Sequence, residues 1–218
     1  MTIFAFLGGT GDQGRGLARR FALAGHPVIL GSRSADRAES AARDLAASLP
    51  ATAQVSGATN LQAAEAAEAV VVAVPWDGHA ALLREVAPAL AGKLVVDCVN
   101  PIGFDERGAY ALDVAEGSAA EQAAALLPDS TVVAAFHHVS AVLLVDPTVE
   151  SLDTDVLVLG DDRAATDAVQ AWVAEIPGMR GIYAGRLRNA HQVEALTANL
   201  ISVNRRYKAH AGLRVTDV

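Results

Sequence analysis

The sequence has 218 residues, of which 52% are hydrophobic and 19% are charged, and its formal net charge is −8. This composition excludes a disordered chain, and the acidic balance argues against a surface that binds nucleic acid or an anionic membrane. The only cysteine, Cys98, cannot form an internal disulfide, and no Cys/His cluster has the spacing of metal ligands. No signal peptide pattern or membrane-length apolar run is present, so we predict a soluble cytoplasmic protein without a metal.

Short apolar runs alternate with alanine-rich amphipathic stretches, a pattern typical of βα units around a parallel sheet. Strands are predicted at 3–7, 27–31, 52–56, 69–74, 94–97, 131–136, 156–159 and 181–183. Helices are predicted at 14–24, 35–49, 60–66, 78–90, 118–127, 163–176 and 187–210. We therefore predict an α/β protein with a Rossmann-type, doubly wound, mostly parallel sheet in residues 1–185, followed by a small C-terminal helical region in residues 186–218.

The first predicted βα turn, GGTGDQG, contains the pattern G-x-G-x-x-G directly between a strand and a helix. In this setting the glycines allow a tight turn, a close approach of the backbone to a pyrophosphate and close packing of the helix on the strand. The helix N-terminus adds unpaired N–H groups. We predict that this loop binds a dinucleotide, the alternative being an ordinary glycine-rich turn. The predicted contacts are Gly9, Thr10, Gly11, Asp12, Gln13 and Gly14.

The end of the second predicted strand distinguishes NAD from NADP. An NAD site usually places Asp or Glu there, to bind the ribose hydroxyls. This chain instead has Ser32 and Arg33, with Arg37 one turn into the next helix. Because arginine forms charge-assisted hydrogen bonds with phosphate, we predict that these three residues bind the 2′-phosphate of NADP, which makes residues 1–185 an NADP-binding domain. Solvated arginines at a helix start are the alternative interpretation.

Two further segments follow the fourth and fifth predicted strands, at the edge where open α/β sheets bind ligands. In the first segment, the indole of Trp76 can cover the nucleotide or simply pack in the core. In the second segment, the side-chain amide of Asn100 can hydrogen-bond the nicotinamide or form an Asx turn before Pro101. The predicted contacts in the two segments are Val74, Pro75, Trp76, Asn100 and Pro101.

Residues for proton chemistry on an alcohol are scarce. There is no Tyr-x-x-x-Lys pair, and Lys93 and Lys208 are the only lysines. This argues against an alcohol dehydrogenase and favours a hydride acceptor that needs positioning more than acid–base catalysis.

Five segments, GGTGDQGRGLARRFALAGHPVILGSR, AVPW, AAFHHVSA, LGDD and AGRLRNAHQVEALTANLISVN, together resemble the NADPH-dependent reductases of coenzyme F420. The similarity extends over nearly the whole chain. It implies an oxidoreductase that transfers a hydride, in either direction, between C4 of the nicotinamide of NADP(H) and C5 of the 5-deazaflavin of coenzyme F420. It also implies that the glycine loop binds the pyrophosphate, and that Ser32, Arg33 and Arg37 bind the 2′-phosphate.

The resemblance further implies where the deazaflavin lies. His137 matches a family histidine near the rings, where it can donate to the deazaflavin or orient the nicotinamide, and His138 and Val139 line the same crevice. A buried, hydrogen-bonded histidine pair is the alternative. On the last helix, His191 and Thr197 match positions where archaeal members have arginine and threonine. We predict catalytic roles for His137 and Thr197 and a cofactor contact for His191.

From Arg186 to the C-terminus the sequence has six basic and two acidic residues. These basic residues either attract the anionic tail of coenzyme F420 or form salt bridges, some of them across a dimer. The apolar side of the last helix predicts a homodimer. Two other functions remain open: an NADP-dependent reductase of a small carbonyl or imine, and a non-catalytic NADP-sensing module.

Overall fold

The computed structural model describes residues 1–218. Its strands are β1 (Phe4–Leu7), β2 (Val28–Ser32), β3 (Val55–Thr59), β4 (Ala69–Val72), β5 (Leu94–Asp97), β6 (Ile102–Asp105), β7 (Gly108–Ala111), β8 (Thr131–Ala134), β9 (Thr154–Gly160) and β10 (Met179–Gly185). Its helices are α1 (Asp12–Leu23), α2 (Ala35–Ala47), α3 (Asn60–Ala66), α4 (Trp76–Leu90), α5 (Ala119–Leu126), α6 (Ala141–Val145), α7 (Arg163–Ala174) and α8 (Ala190–Tyr207), and a 3-10 turn at Leu187–Asn189 precedes α8.

Eight strands form one sheet in the order β10-β9-β8-β5-β4-β1-β2-β3. The six strands from β8 to β3 are parallel, β9 is antiparallel to β8, and β10 is parallel to β9. The predicted Rossmann-type, mostly parallel sheet is therefore confirmed. Because β1 lies between β2 and β4, the strand order reverses there, and the crevice beyond the carboxyl ends of β1 and β4 is where such sheets bind ligands.

The central strands are apolar throughout because helices cover both faces of the sheet. Along β1, Phe4 and Phe6 belong to one core cluster, whereas Ala5 and Leu7 belong to the other. Helices α1, α2 and α7 contribute to the first cluster, and α3, α4 and α5 to the second. This double cover holds the strand ends in place and leaves their carboxyl edge for the site.

The structure differs from the sequence prediction at the ends of several elements. Strand β8 ends two residues early because Phe136 has a φ of 64°, in the left-handed region that a strand cannot use. The antiparallel pair β6–β7 and the short helix α6 were not predicted. Helix α6 depends on tertiary contacts, since the buried Arg20 guanidinium donates to the carbonyl oxygens of Leu143 and Val149, each at 2.6 Å.

The C-terminal region packs back on the main domain. Helix α8 contacts α5 and the hairpin β6–β7. It ends at Tyr207, because the next residue, Lys208, has a left-handed backbone with a φ of 51°. The following tail returns to β9, where Asp155 N–H donates to the Leu213 carbonyl at 2.7 Å. The domain boundary between residues 185 and 186 stays a prediction. None of the helices combines the length and apolarity needed to cross a membrane.

Candidate functional site

A cavity of about 1040 Å³ lies at the carboxyl edge of the sheet and extends to α8 and the C-terminal tail. It gathers most of the residues singled out from the sequence. Those that line it are Thr10, Gly11, Asp12, Gln13, Ser32, Arg33, Arg37, Val74, Pro75, Trp76, Asn100, His137, His138, Val139 and Thr197. Those that do not line it are Gly9, Gly14, Pro101 and His191.

Two glycines outside the cavity lining shape the loop. A Cβ on Gly9 would lie 2.7 Å from the Phe6 carbonyl oxygen, and one on Gly14 would lie 2.9 Å from the Cα of Gly9. Both positions therefore exclude a side chain, because strand, loop and helix are in direct contact there. This is the packing role that the glycine pattern predicts.

The cavity side of the loop is open. A Cβ on Gly11 would meet only the Gly8 carbonyl oxygen, at 3.5 Å, so the backbone there is free to approach a ligand. Gly11 is the N-cap of α1 and no side chain caps the helix, which leaves its first N–H groups available to an anion. This cradle fits a pyrophosphate. Gly8, which the sequence analysis did not select, completes it with a φ of 77°.

Two arginine side chains without an ion pair lie at the far end of the cavity. Ser32 ends β2, and the Arg33 and Arg37 side chains, which make no ion pair, are exposed beside it. Arg37 lies in the first turn of α2, whose N-cap Ser34 accepts its N–H at 3.4 Å. A hydroxyl and two guanidinium groups in one wall fit a phosphate monoester better than ribose hydroxyls.

Asn60 is a cavity residue that the sequence analysis missed. It begins α3 and is buried, and its Oδ1 accepts from Gly8 N–H at 3.3 Å. The capping box at Thr59 was a visible signal for the start of this helix, but the contact with the glycine loop joins residues 52 positions apart. Asn60 therefore fixes the loop from outside its own motif.

The opposite wall is the turn after β8, and side chains from three other elements hold it. The His137 carbonyl oxygen accepts from Asn100 Nδ2 at 2.7 Å and from Thr197 Oγ1 at 3.1 Å. The preceding carbonyl, of Phe136, accepts from Gln13 Nε2 at 3.2 Å. The cradle, the turn after β5 and α8 therefore meet at two neighbouring carbonyl groups. Thr197 uses its hydroxyl proton here, so it acts on the position of His137.

The two histidines of this turn are buried and neutral. Burial lowers the pKa of His137 and of His138 to about 4. Neither ring nitrogen of His137 makes a hydrogen bond within the protein. Nε2 of His138 accepts from Leu157 N–H at 3.4 Å. Oδ1 of Asn100 is also buried without a partner. Unpartnered polar atoms in a cavity wall are places where a ligand can hydrogen-bond.

The C-terminal part of the cavity was only partly predicted. His191 is exposed on α8 and is not brought to the cavity, so its contact with a cofactor stays a prediction. Further along the helix and tail, the structure adds lining residues that no motif indicated: Leu200, Ile201, Asn204, His210 and Ala211. The apolar side of the last helix was a signal for Leu200 and Ile201, whereas Asn204, His210 and Ala211 do not belong to that apolar side.

Comparison with known proteins agrees with this geometry. The family model of coenzyme F420-dependent NADP oxidoreductases matches residues 3–101. An F420-dependent NADP reductase of Methanothermobacter marburgensis is 42% identical over 98% of each chain, and one of Methanocaldococcus jannaschii is 34% identical over 98% of each chain. A crystal structure from Arthrobacter sp. FB24, with a proposed assignment as an F420-dependent NADP reductase, superposes with a TM-score of 0.83 at 29% identity over 99% of each chain. The chain therefore belongs to the family of coenzyme F420-dependent NADP oxidoreductases.

Proposed function

We propose that this protein is an NADPH:coenzyme F420 oxidoreductase, which transfers a hydride reversibly between NADP(H) and the 5-deazaflavin. The observation that supports this most is the single cavity that runs from the glycine cradle to α8. A direct transfer requires both rings in one enclosed space, because the hydride passes between carbon atoms in contact. Family membership supplies the identity of the two substrates.

The cradle end binds NADP in this proposal. The backbone of the loop from Gly8 to Gly11 and the N-terminus of α1 hold the pyrophosphate. Ser32, Arg33 and Arg37 hold the 2′-phosphate, and this contact separates NADPH from NADH. No other arginine lines the cavity.

The other end brings the rings together. The bound nicotinamide and deazaflavin supply the hydride donor and acceptor, so the protein has to orient them and exclude water. Asn100 keeps Oδ1 free to accept from an amide N–H, and neutral His137 has one ring nitrogen to donate and one to accept. Thr197 is a positioning residue, because it holds the His137 carbonyl.

Five of the six basic C-terminal residues divide into two groups, and the sixth, Arg188, is exposed outside the cavity lining. Arg186 pairs with Asp161 and Arg214 pairs with Asp153 and Asp155, so these cations are neutralised within the chain. Exposed basic residues without an ion pair remain near the end of α8, beside the cavity residues Asn204 and His210: Arg205, Arg206 and Lys208. We assign them to electrostatic attraction of the anionic tail of coenzyme F420.

Salt concentration tests this assignment. Replacing all three residues by glutamine should raise KM for coenzyme F420 at low salt and remove most of its salt dependence, with KM for NADPH unchanged. The control is Arg188→Gln, which removes an exposed charge from a position outside the cavity lining. An unchanged salt dependence in the triple variant would contradict the assignment.

The activity itself is tested by mixing purified protein with NADPH and oxidised coenzyme F420 and following loss of the deazaflavin absorbance. Rapid bleaching with NADPH, with little bleaching when NADH replaces NADPH or riboflavin replaces coenzyme F420, is the expected result. Binding of NADPH without bleaching would refute the proposal. A screen of small carbonyls and imines would then separate a reductase of another class from a nucleotide sensor.

The proposal includes a homodimer. The β6–β7 hairpin packs on α8, and these two elements expose large apolar side chains: Phe104, Tyr110, Val203 and Tyr207. Large apolar side chains exposed on two contacting elements are typical of an interface between subunits. Light scattering should give twice the mass of 22.5 kDa, and Phe104→Ser with Tyr207→Ser should reduce it to the monomer mass.

The proposal also includes a cytoplasmic location. Its support is the single cysteine, Cys98, which is buried and forms no disulfide, as expected for a protein of a reducing compartment. Fractionation of cells that contain the protein should find it with cytoplasmic markers. Recovery with secreted or membrane fractions would contradict this location.

A further inference from the structure

A buried ion pair lies directly behind two walls of the cavity and has no role in the function proposed above. Nε2 of His79 lies 2.7 Å from Oδ2 of Asp97, and both side chains are 0% exposed. Neither residue lines the cavity. A buried ion pair is weak evidence for stability, because both charges lose their hydration. Its position therefore suggests a second role.

The pair connects two cavity walls. Asp97 ends β5, and its Oδ1 accepts from the N–H of Val99, a lining residue next to Asn100, at 3.0 Å. His79 lies in the first turn of α4, and its ring stacks on the ring of Trp76, with centroids 5.6 Å apart and planes at 30°. The wall formed by Trp76 and the wall formed by the turn after β5 are therefore joined by one buried contact.

Hydrogen bonding indicates that the His79 ring is charged. Its Nδ1 lies 3.0 Å from Oε1 of Gln122, whose Nε2 donates to Glu116 at 3.1 Å and so fixes the orientation of the amide. Both ring nitrogens face acceptors, so both carry a proton. Burial lowers the pKa of His79, but the charge and hydrogen bond of Asp97, with the hydrogen bond of Gln122, outweigh burial and raise it overall. A cation this close to an indole ring gains cation–π attraction.

We propose that His79 and Asp97 are positioning residues for hydride transfer, and that the charged pair holds Trp76 and the Asn100 turn at the separation that aligns the two rings. This inference deepens the proposed function and rests on it. Alignment is a large part of the rate in such a reaction, since a misplacement of about 1 Å can cost about a hundredfold. The pair acts through Trp76 and Asn100, because it does not itself reach the cavity.

Other ionisable groups also face the pair. Glu194 on α8 is buried and accepts from Ala119 N–H at 2.9 Å and Ala120 N–H at 3.1 Å, and burial raises its pKa to about 7. Asp97 also interacts with the neighbouring groups Cys98 and His137, and Glu116 is linked through Gln122. A pH titration must therefore separate His79 from these groups, above all from Glu194.

The experiment uses a Trp172→Phe background, which leaves Trp76 as the only tryptophan. Asp97→Asn and His79→Gln should each lower kcat about tenfold or more, leave KM for NADPH within about threefold because the phosphate contacts are untouched, and change Trp76 emission. The matched control is His26→Gln. His26 is buried and also contacts a carboxylate, that of Glu175 at 2.7 Å, although the Glu175 side chain is 42% exposed. Unlike those of the pair of His79 and Asp97, its hydrogen bonds, to Glu175 and to the N–H of Thr2, reach no residue of the cavity lining or its neighbouring turns. This control should lower stability without changing kcat or the emission.

A second measurement needs no substitution in the pair. In the background protein, Trp76 emission should change as the pH is raised above the ordinary pKa of histidine, because His79 loses its charge and its pKa is raised. The change should persist in Glu194→Gln. Unchanged kcat and Trp76 emission in folded Asp97→Asn or folded His79→Gln would overturn the inference. Trp76 emission that does not respond to pH in the Trp172→Phe protein would also overturn it. No turnover in a background protein whose emission does respond would refute the proposed function and leave the structural link intact.

Discussion

The two sides of the cavity are assembled from different kinds of contact. On the NADP side, Gly11 and Arg33 lie in the turns that follow β1 and β2, and Ser32 ends β2, so local chain geometry places them. On the deazaflavin side, the residues that hold the His137 carbonyl come from positions 37 and 60 residues away, Asn100 and Thr197. The first side is therefore mainly a local motif, with Asn60 as a distant support, and the second depends on contacts that form only in the folded protein.

This difference predicts how variants divide. A change on the NADP side should alter nucleotide binding and leave the rest of the site intact. A change on the other side should alter the rate through the shared turn, with little effect on NADPH affinity.

The largest effect is expected at the glycine cradle. Gly11→Ala has room in the protein but puts a methyl group in the open side of the loop, so NADPH affinity should fall about a hundredfold or more, about 3 kcal/mol, with the free energy of unfolding unchanged. Gly14→Ala should instead destabilise the fold, because its Cβ would meet the Cα of Gly9. Calorimetry and denaturant unfolding measure the two quantities. Wild-type affinity in folded Gly11→Ala would contradict the account of this side.

The next effect is on the choice of nucleotide. Removing the two free cations with Arg33→Gln and Arg37→Gln should reduce the preference for NADPH over NADH about a hundredfold, because the charge-assisted hydrogen bonds to the 2′-phosphate are lost. The rate at saturating NADPH should stay near that of the wild type. Arg43→Gln is the control, since Arg43 is exposed on the same helix and lies outside the cavity lining. An equal loss of activity with NADPH and NADH would show that these arginines do not act through the 2′-phosphate.

A moderate effect is expected from the buried histidine turn. His138 has a pKa of about 4 in the folded protein, against 6.5 when exposed. The unfolded chain therefore takes up this proton first as the pH falls, and His138 by itself lowers the folding stability by about 2 kcal/mol between about pH 7 and 5. His138→Gln should reduce this loss of stability in denaturant titrations at the two pH values.

Glu194 supplies an opposite slope in the same experiment. Its pKa is raised from 4.5 to about 7, so the folded protein takes up this proton first, and stability rises as the pH falls. Glu194→Gln should therefore steepen the acid loss that His138→Gln reduces. Equal slopes in the wild type and both variants would show that these groups do not control the acid response.

The smallest effect is expected at Thr197. Thr197→Val keeps the volume of the side chain but removes the hydrogen bond to the His137 carbonyl, which contributes about 1 kcal/mol. We expect kcat to fall about fivefold with KM for NADPH unchanged, since the turn moves and the cradle does not. Thr197→Ser should restore most of the rate. Loss of NADPH binding in Thr197→Val would contradict the conclusion that the two sides of the cavity control different steps.

The same division explains what could be predicted from the sequence. The buried apolar strands and the glycine pattern are local signals, and the helix at 60–66 and the strand at 94–97 have the predicted bounds. Helix α6 could not be predicted because five residues do not form a stable helix alone, and Arg20 supplies its stability from α1. The ion pair of His79 and Asp97 joins residues on two elements whose pairing no periodicity encodes.

The most direct test of the account is the fate of the transferred hydrogen. NADPH carrying deuterium at C4, in each of its two configurations, is mixed with the protein and oxidised coenzyme F420, and the reduced deazaflavin is analysed by mass spectrometry and NMR. If one cavity holds both rings in contact, one configuration should deliver its deuterium quantitatively to C5, with none exchanged into water. Loss of the label to solvent from both configurations would contradict direct transfer and with it the central claim that the two sides of the cavity work as one site.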